Sequence, residues 1–198
     1  MANLDSDQIE ILKNYKQDLR RGNLSKLAQD LMTKIGSWDR GPITSYLIEH
    51  GVNILSAMTF IPSSGIVNLE KLPVLAIPRN IETIRSQGIV DNPSLKEVLI
   101  EHGVENINSN AIVGNPNLTA IILPPSIKTL GKEAFANNPN LKEVFIPDSI
   151  KVLPKGLFSG CDDNIVVKAN FRENKSDRLK CVEAEKDWYR AHLKWIKD

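Results

Sequence analysis

The residues best able to do chemistry in this chain are its three histidines, its two cysteines and a few turn serines, and their spacing does not combine them. No His-x-x-x-His or Cys-x-x-Cys pair offers zinc a foothold. His50 and His102 share an offset in related sequence units, but they lie three strand spacings apart, about 14 Å at ~4.8 Å each, too far for one metal. Ser63, Ser64 and Ser126 sit at turns, where serine is expected for local hydrogen bonding, and no histidine is placed to act as a base. The glycines are single punctuators, and no phosphate-cradling loop precedes a Lys-Ser or Lys-Thr pair. The expectation is therefore no catalytic residue, no metal and no cofactor.

What the chain does have is a period. From Leu75 to about Val166 it repeats every 23 residues: LAIPRNIETIRSQGIVDNPSLKE, VLIEHGVENINSNAIVGNPNLTA, IILPPSIKTLGKEAFANNPNLKE and VFIPDSIKVLPKGLFSGCDDNIV. Apolar residues recur in columns, such as Ile77, Ile100, Leu123 and Ile146, or Ile84, Ile107, Leu130 and Leu153. A fixed period of this length means stacked supersecondary units, a solenoid in which no unit folds alone. Each unit opens on strand-like alternation, with Leu141, Val144 and Ile146 inward and Glu143 and Phe145 outward. Pro78, Pro124 and Pro147 end the strands because proline cannot donate to a ladder. A small-plus-large pair follows (Ala111–Ile112, Ala134–Phe135, Leu157–Phe158) and reads as a half-turn or short helical segment. Each unit closes on Asn92, Asn115 or Asn138 before proline. There a side chain with donor and acceptor can satisfy corner backbone groups. Cys161 takes that place in the fourth unit as a small buried thiol.

This pattern resembles the leucine-rich repeat superfamily, in its bacterial surface-antigen type with 23-residue units. The third unit carries the whole signature: Leu123–Pro124, Ser126–Ile127, Ala134–Phe135 and Asn138–Pro139. The resemblance implies an α/β solenoid with a parallel sheet and a recognition role without shared catalytic residues. An ankyrin reading of YLIEHGVN fails, because the 33-residue period and the Thr-Pro-Leu-His signature are missing.

Degenerate units extend the array towards the N-terminus. YLIEHGVNIL from Tyr46 parallels VLIEHGVENI, and TFIPSSGIVNL from Thr59 parallels VFIPDSIKVL. Residues 1–41 read as a helical cap, with apolar stripes in 6–21 and from Leu24 to Ile35. Residues 42–170 form the solenoid, degenerate over 42–74 and regular over 75–166. Residues 171–198 read as a C-terminal capping helix with Leu179, Val182, Tyr189, Leu193 and Ile196 on one side.

Lys plus Arg is 25 and Asp plus Glu is 24, a net charge of +1 that argues against a dedicated nucleic-acid binder. No 18-residue apolar run exists to span a membrane. Two cysteines are too few for a disulfide scaffold, and the opening residues lack a signal-peptide layout. The expected location is cytoplasmic, with a trimmed secreted precursor left open.

The outward mid-strand column reads Leu47, Phe60, Ala76, Leu99, Ile122, Phe145 and Lys168. It forms an apolar stripe with Glu97, Glu101 and Glu143 as an acidic rim, the anatomy of a protein-binding surface. The favoured reading is a non-catalytic module gripping another protein, as an inhibitor or adaptor of bacterial or viral origin. Two alternatives stay open: a nucleic-acid or ribonucleoprotein binder using the basic residues between Lys168 and Lys180, or a homo-oligomer joined through the stripe.

Overall fold

The computed structural model describes residues 40–49, 54–170, 180–181 and 193–196. The described residues form a parallel β-solenoid of about five turns, with one α-helix, α1 (Arg40–Glu49), a 3₁₀ turn at Ile54–Ala57 and fifteen short strands. In chain order these are β1 (Phe60–Ile61), β2 (Ile66–Val67), β3 (Val74–Ile77), β4 (Thr83–Ile84), β5 (Ile89–Val90), β6 (Glu97–Ile100), β7 (Asn106–Ile107) and β8 (Ile112–Val113). They continue as β9 (Ala120–Ile122), β10 (Thr129–Leu130), β11 (Glu143–Ile146), β12 (Val152–Leu153), β13 (Val166–Asn170), β14 (Lys180–Cys181) and β15 (Leu193–Ile196).

The strands divide among stacked sheets. A six-stranded long sheet has the order β15-β13-β11-β9-β6-β3, a second β1-β4-β7-β10 and a third β2-β5-β8, while β12 pairs with β14. Every pairing is parallel, and in the long sheet from β3 to β13 the register shift between successive turns is the sequence period: Val98 lies beside Leu75 and Ile121 beside Val98. Alternation places one face of each strand in the core. Along β3 the pattern is Val74 out, Leu75 in, Ala76 out and Ile77 in. The columns read from the sequence are inside, with Ile77, Ile81, Ile84, Leu95, Val98, Val104, Leu118 and Ile127 at 5% exposure or less.

Half-turns or short helical segments were expected behind the long sheet. The last two full turns place turns at 132–137 and 155–160 there, in keeping with a half-turn, whereas the first two place β5 and β8. The side chains explain the difference. Ile89, Val90, Ile112 and Val113 are all β-branched, which suits a pleated ladder, whereas Ala134–Phe135 and Leu157–Phe158 contain no β-branched residue. The Phe135 and Phe158 rings stack on successive turns with centroids 5.9 Å apart.

Two further expectations are corrected. The residues from Tyr46 form α1 and not a strand. The helix lies over the edge of the third sheet, where Ser45 Oγ accepts the Val67 N–H at 2.9 Å and the Glu49 carboxylate accepts the Glu70 and Lys71 N–H groups. It thereby covers an edge that would otherwise offer unpaired backbone groups. At the other end, strands β14 and β15 occupy 180–181 and 193–196, so the capping helix expected through Leu193 and Ile196 is not formed there. Register explains this: Val167 to Asn170 pair with Leu193 to Ile196, so a further strand closes the long sheet. The helices expected within 6–21 and 24–35 fall outside the described residues.

Candidate protein-binding face

Corner chemistry sets how rigidly the long sheet is held. Asn92, Asn115 and Asn138 are fully buried. Each side-chain oxygen accepts from the turn before it: Leu69 N–H to Asn92, Asn92 N–H to Asn115 at 3.1 Å, and Asn115 N–H to Asn138 at 2.9 Å. Each side-chain NH2 donates to corner carbonyls, Asn138 to those of Ile112 and Phe135, both at 2.8 Å. The ladder ends at Cys161, whose thiol donates to the Phe135 carbonyl at 3.1 Å. Burial pushes this thiol up from its ordinary 9.0 to about 11, the Asn138 N–H at the sulfur offsetting part of the rise. A thiol so protonated is a poor nucleophile and a serviceable donor.

The opposite corner is also polar. Asn80 donates to the Leu55 and Met58 carbonyls, and Ser126 Oγ donates to Val104 O at 2.7 Å while accepting the Gly103 N–H. Ser126 was expected to bond locally; it ties one turn to the next. Among the described residues no three His, Cys, Asp or Glu side chains gather where a metal could sit. His50 lies outside them, and His102 is exposed.

With both corners pinned, the outward side chains of the long sheet line up by register. Its central row runs Ala76, Leu99, Ile122, Phe145 and Lys168. Beside it run Val74, Glu97, Ala120, Glu143 and Val166. Ile122 is 48% exposed and Val74 39%, while Leu99 and Phe145 are half-buried among their neighbours. Lys168 lies over the Phe145 ring, 5.4 Å from its centroid, and pairs with Glu143. Glu97 and Glu101 are exposed at the β6 end of the face, Glu101 accepting the Arg79 N–H at 3.3 Å. The result is a row of apolar side chains, with Glu97 and Glu101 at the β6 end and the Glu143–Lys168 ion pair at the β13 end.

Two members of the expected stripe are elsewhere. Leu47 is buried on α1 at 4% exposure, facing the core. Phe60 lies on β1 in the second sheet, opposite Thr83, with the Arg85 guanidinium 3.7 Å from its ring centroid. The repeat explains the second case. Ile61, Ser63, Gly65, Ile66 and Val67 recur 23 residues on as Ile84, Ser86, Gly88, Ile89 and Val90. That match fixes Phe60 opposite Thr83, whereas the likeness of TFIP to VFIP shares fewer positions. Of the basic residues weighed for nucleic acid, Lys168 is on this face, Lys180 is in β14, and Arg172, Lys175 and Arg178 fall outside the described residues.

A family model described as the BspA type leucine rich repeat region matches residues 46–165 in six copies, more than half of the chain. No curated protein matches it. Among solved structures it is similar to a leucine rich cell surface protein from Faecalibacterium prausnitzii A2-165, at 20% identity and a TM-score of 0.46 over 61% of this chain and 35% of that one. It is also similar to the pneumococcal vaccine antigen PcpA, at 23% identity and a TM-score of 0.40 over 70% of this chain and 42% of that one. The chain thus spans less than half the length of either. The family match, to the surface-antigen type of repeat, overturns the cytoplasmic expectation. Physically, a low cysteine count was weak ground for it, because a long repeat core needs no disulfides in any compartment.

Proposed function

Because the chain belongs to the BspA-type leucine-rich repeat family, we propose that it is a non-catalytic protein-recognition module, working outside the cell, whose binding surface is the outward face of the long sheet. The observation that carries this reading is the exposure of Ile122, a large aliphatic side chain at 48%, in register between Leu99 and Phe145. Burying such groups is favourable by roughly 25 cal/mol per Å² of apolar surface. Acidic Glu97 and Glu101 flank them, giving an apolar centre with a polar edge. The strand backbone beneath is fixed by the corner ladders, so little ordering would be lost on binding. Outside the cell, a Cys161 thiol held protonated is also poorly disposed to oxidation. An inhibitor role has no observation behind it and is not carried forward.

The test replaces Leu99, Ile122 and Phe145 together by serine. These side chains point away from the core, so the variant is expected to melt within a few degrees of the parent. It should no longer retain the proteins that the parent captures from its native host. A control on the second sheet, Thr129→Ala, should retain them. Equal capture by the triple variant would place recognition on another surface.

A further inference from the structure

One six-residue run occurs twice in this chain and folds in two ways. Leu47 to Val52 reads LIEHGV, and so does Leu99 to Val104. In the second occurrence Leu99 and Ile100 end strand β6; in the first Leu47 to Glu49 end helix α1. The local sequence does not choose between the two conformations, so tertiary contacts must. The family model begins at residue 46, and by repeat pattern this helical stretch belongs to the array.

Helix α1 is poorly supported by its own residues. It is 10 residues long, a marginal length for a helix standing alone. Gly41, Ile43, Thr44 and Ile48 are weak helix formers. No acid stands in the first turn and no base in the last, where Glu49 opposes the helix dipole. The helix is held by buried Leu47, by the Val67 N–H bonded to Ser45 Oγ, and by the Glu70 and Lys71 N–H groups bonded to the Glu49 carboxylate.

A strand position is open to the same residues. Strand β3 ends the long sheet. The Pro73 and Ile77 carbonyls accept from Glu97 and Glu101 on the β6 side, so by ladder alternation the backbone groups of Val74 and Ala76 face the other way. Among the described residues no strand pairs with them, and an edge of this kind accepts one. With Leu47 beside Ala76, alternation turns Leu47 outward and Tyr46 and Ile48 inward, as Leu99, Val98 and Ile100 are disposed on β6. Residues 49–59 then close the corner to β1, and the 3₁₀ turn Ile54–Ala57 opens in the exchange.

We propose that Tyr46, Leu47 and Ile48 exchange between two places: helix α1 over the edge of the third sheet, and a further strand of the long sheet parallel to β3. Two packings of one segment make such a device when neither is strongly preferred. The strand form adds Leu47 to the central row of the outward face, so a partner seated on that row favours it. That consequence rests on the reading of the face as protein-binding; the exchange itself does not.

Disulfide trapping on the full chain, with Cys161 and Cys181 replaced by alanine, tests the exchange with no partner present. Leu47→Cys with Ala76→Cys reports the strand form, because neighbours on adjacent strands lie ~4.8 Å apart, within disulfide reach. Ser45→Cys with Val74→Cys reports it again and leaves Leu47 in place. Ser45→Cys with Val67→Cys reports the helix form. All three pairs are expected to close under native conditions, the first two more slowly. Glu49→Ala removes bonds that hold only the helix, and should speed closure of the strand-form pairs about tenfold. Melting curves check that each variant is folded. Strand-form pairs that stay open with and without Glu49→Ala, while the 45–67 pair closes, overturn the inference. Closure at one rate in both backgrounds overturns it too, since that reports general opening of the fold. Failure of the face to capture other proteins is a separate result, read in a separate experiment.

Discussion

Asn138 is one of the residues on which the corner depends. It is fully buried and accepts from Asn115 while donating to the Ile112 and Phe135 carbonyls. Asn138→Leu keeps the volume and removes every one of those bonds. Leaving buried backbone groups unpaired costs about 1–3 kcal/mol, so the denaturation midpoint should fall, and an unchanged midpoint would contradict the ladder. Cys161 carries a pH signature. Its folded value of about 11 lies above its ordinary 9.0, so between those values the folded state holds the proton more tightly. That stabilisation is complete below about pH 9 and is lost as pH rises towards 11, by at most about 1.4 kcal/mol per pH unit. Thermal melts of the parent and of Cys161→Ala should therefore converge over that range. A gap that holds constant would mean that the thiol titrates alike in both states. The role of these corner residues was legible beforehand, because a column of asparagine ending in cysteine calls for a small, buried hydrogen-bonding side chain.

Among the elements, the turns hold the tiers at a fixed separation. Two columns sit at positive φ in every turn: Ser64, Gln87, Asn110, Glu133 and Gly156, then Asn68, Asp91, Gly114, Asn137 and Gly160. The second column could have been found in the sequence, since Asn, Asp and Gly tolerate that conformation best. The first could not, since Gln87 and Glu133 have no such preference, and only the stacking of turns holds them there. Gly131 marks a very close approach. A Cβ there would fall within 3.0 Å of Ser109 N, Asn108 C and Ser109 Cα, all backbone atoms that cannot swing aside. Gly131→Ala should destabilise by about 1–3 kcal/mol, as overpacking does, measurable by chemical denaturation; a neutral result would mean that neighbouring tiers can part without cost. The four full tiers were legible because their period is unbroken from Leu75. The start of the array was not, because YLIEHG imitates a strand segment whose register partner is absent, and α1 covers the sheet edge instead.

At the scale of the molecule, the face was legible in part. Leu99, Ile122 and Phe145 share a row because they share a repeat offset, and the pairing of β6, β9 and β11 keeps them in it. Leu47 and Phe60 belonged to degenerate units, where one inserted or deleted residue moves a side chain to another sheet or into the core. The C-terminal strand was hidden because a short segment with apolar Leu193, Trp195 and Ile196 fits a helix stripe as readily as a strand until its neighbour is known. The central claim is that the outward face of the long sheet is where another polypeptide sits. Its most direct test places a photo-crosslinking amino acid at Ile122 and, separately, at Thr129 on the second sheet, then irradiates the protein in its native setting. The account predicts a polypeptide adduct from position 122 and little from position 129. Equal adducts at both positions, or adducts only from Thr129, would contradict it.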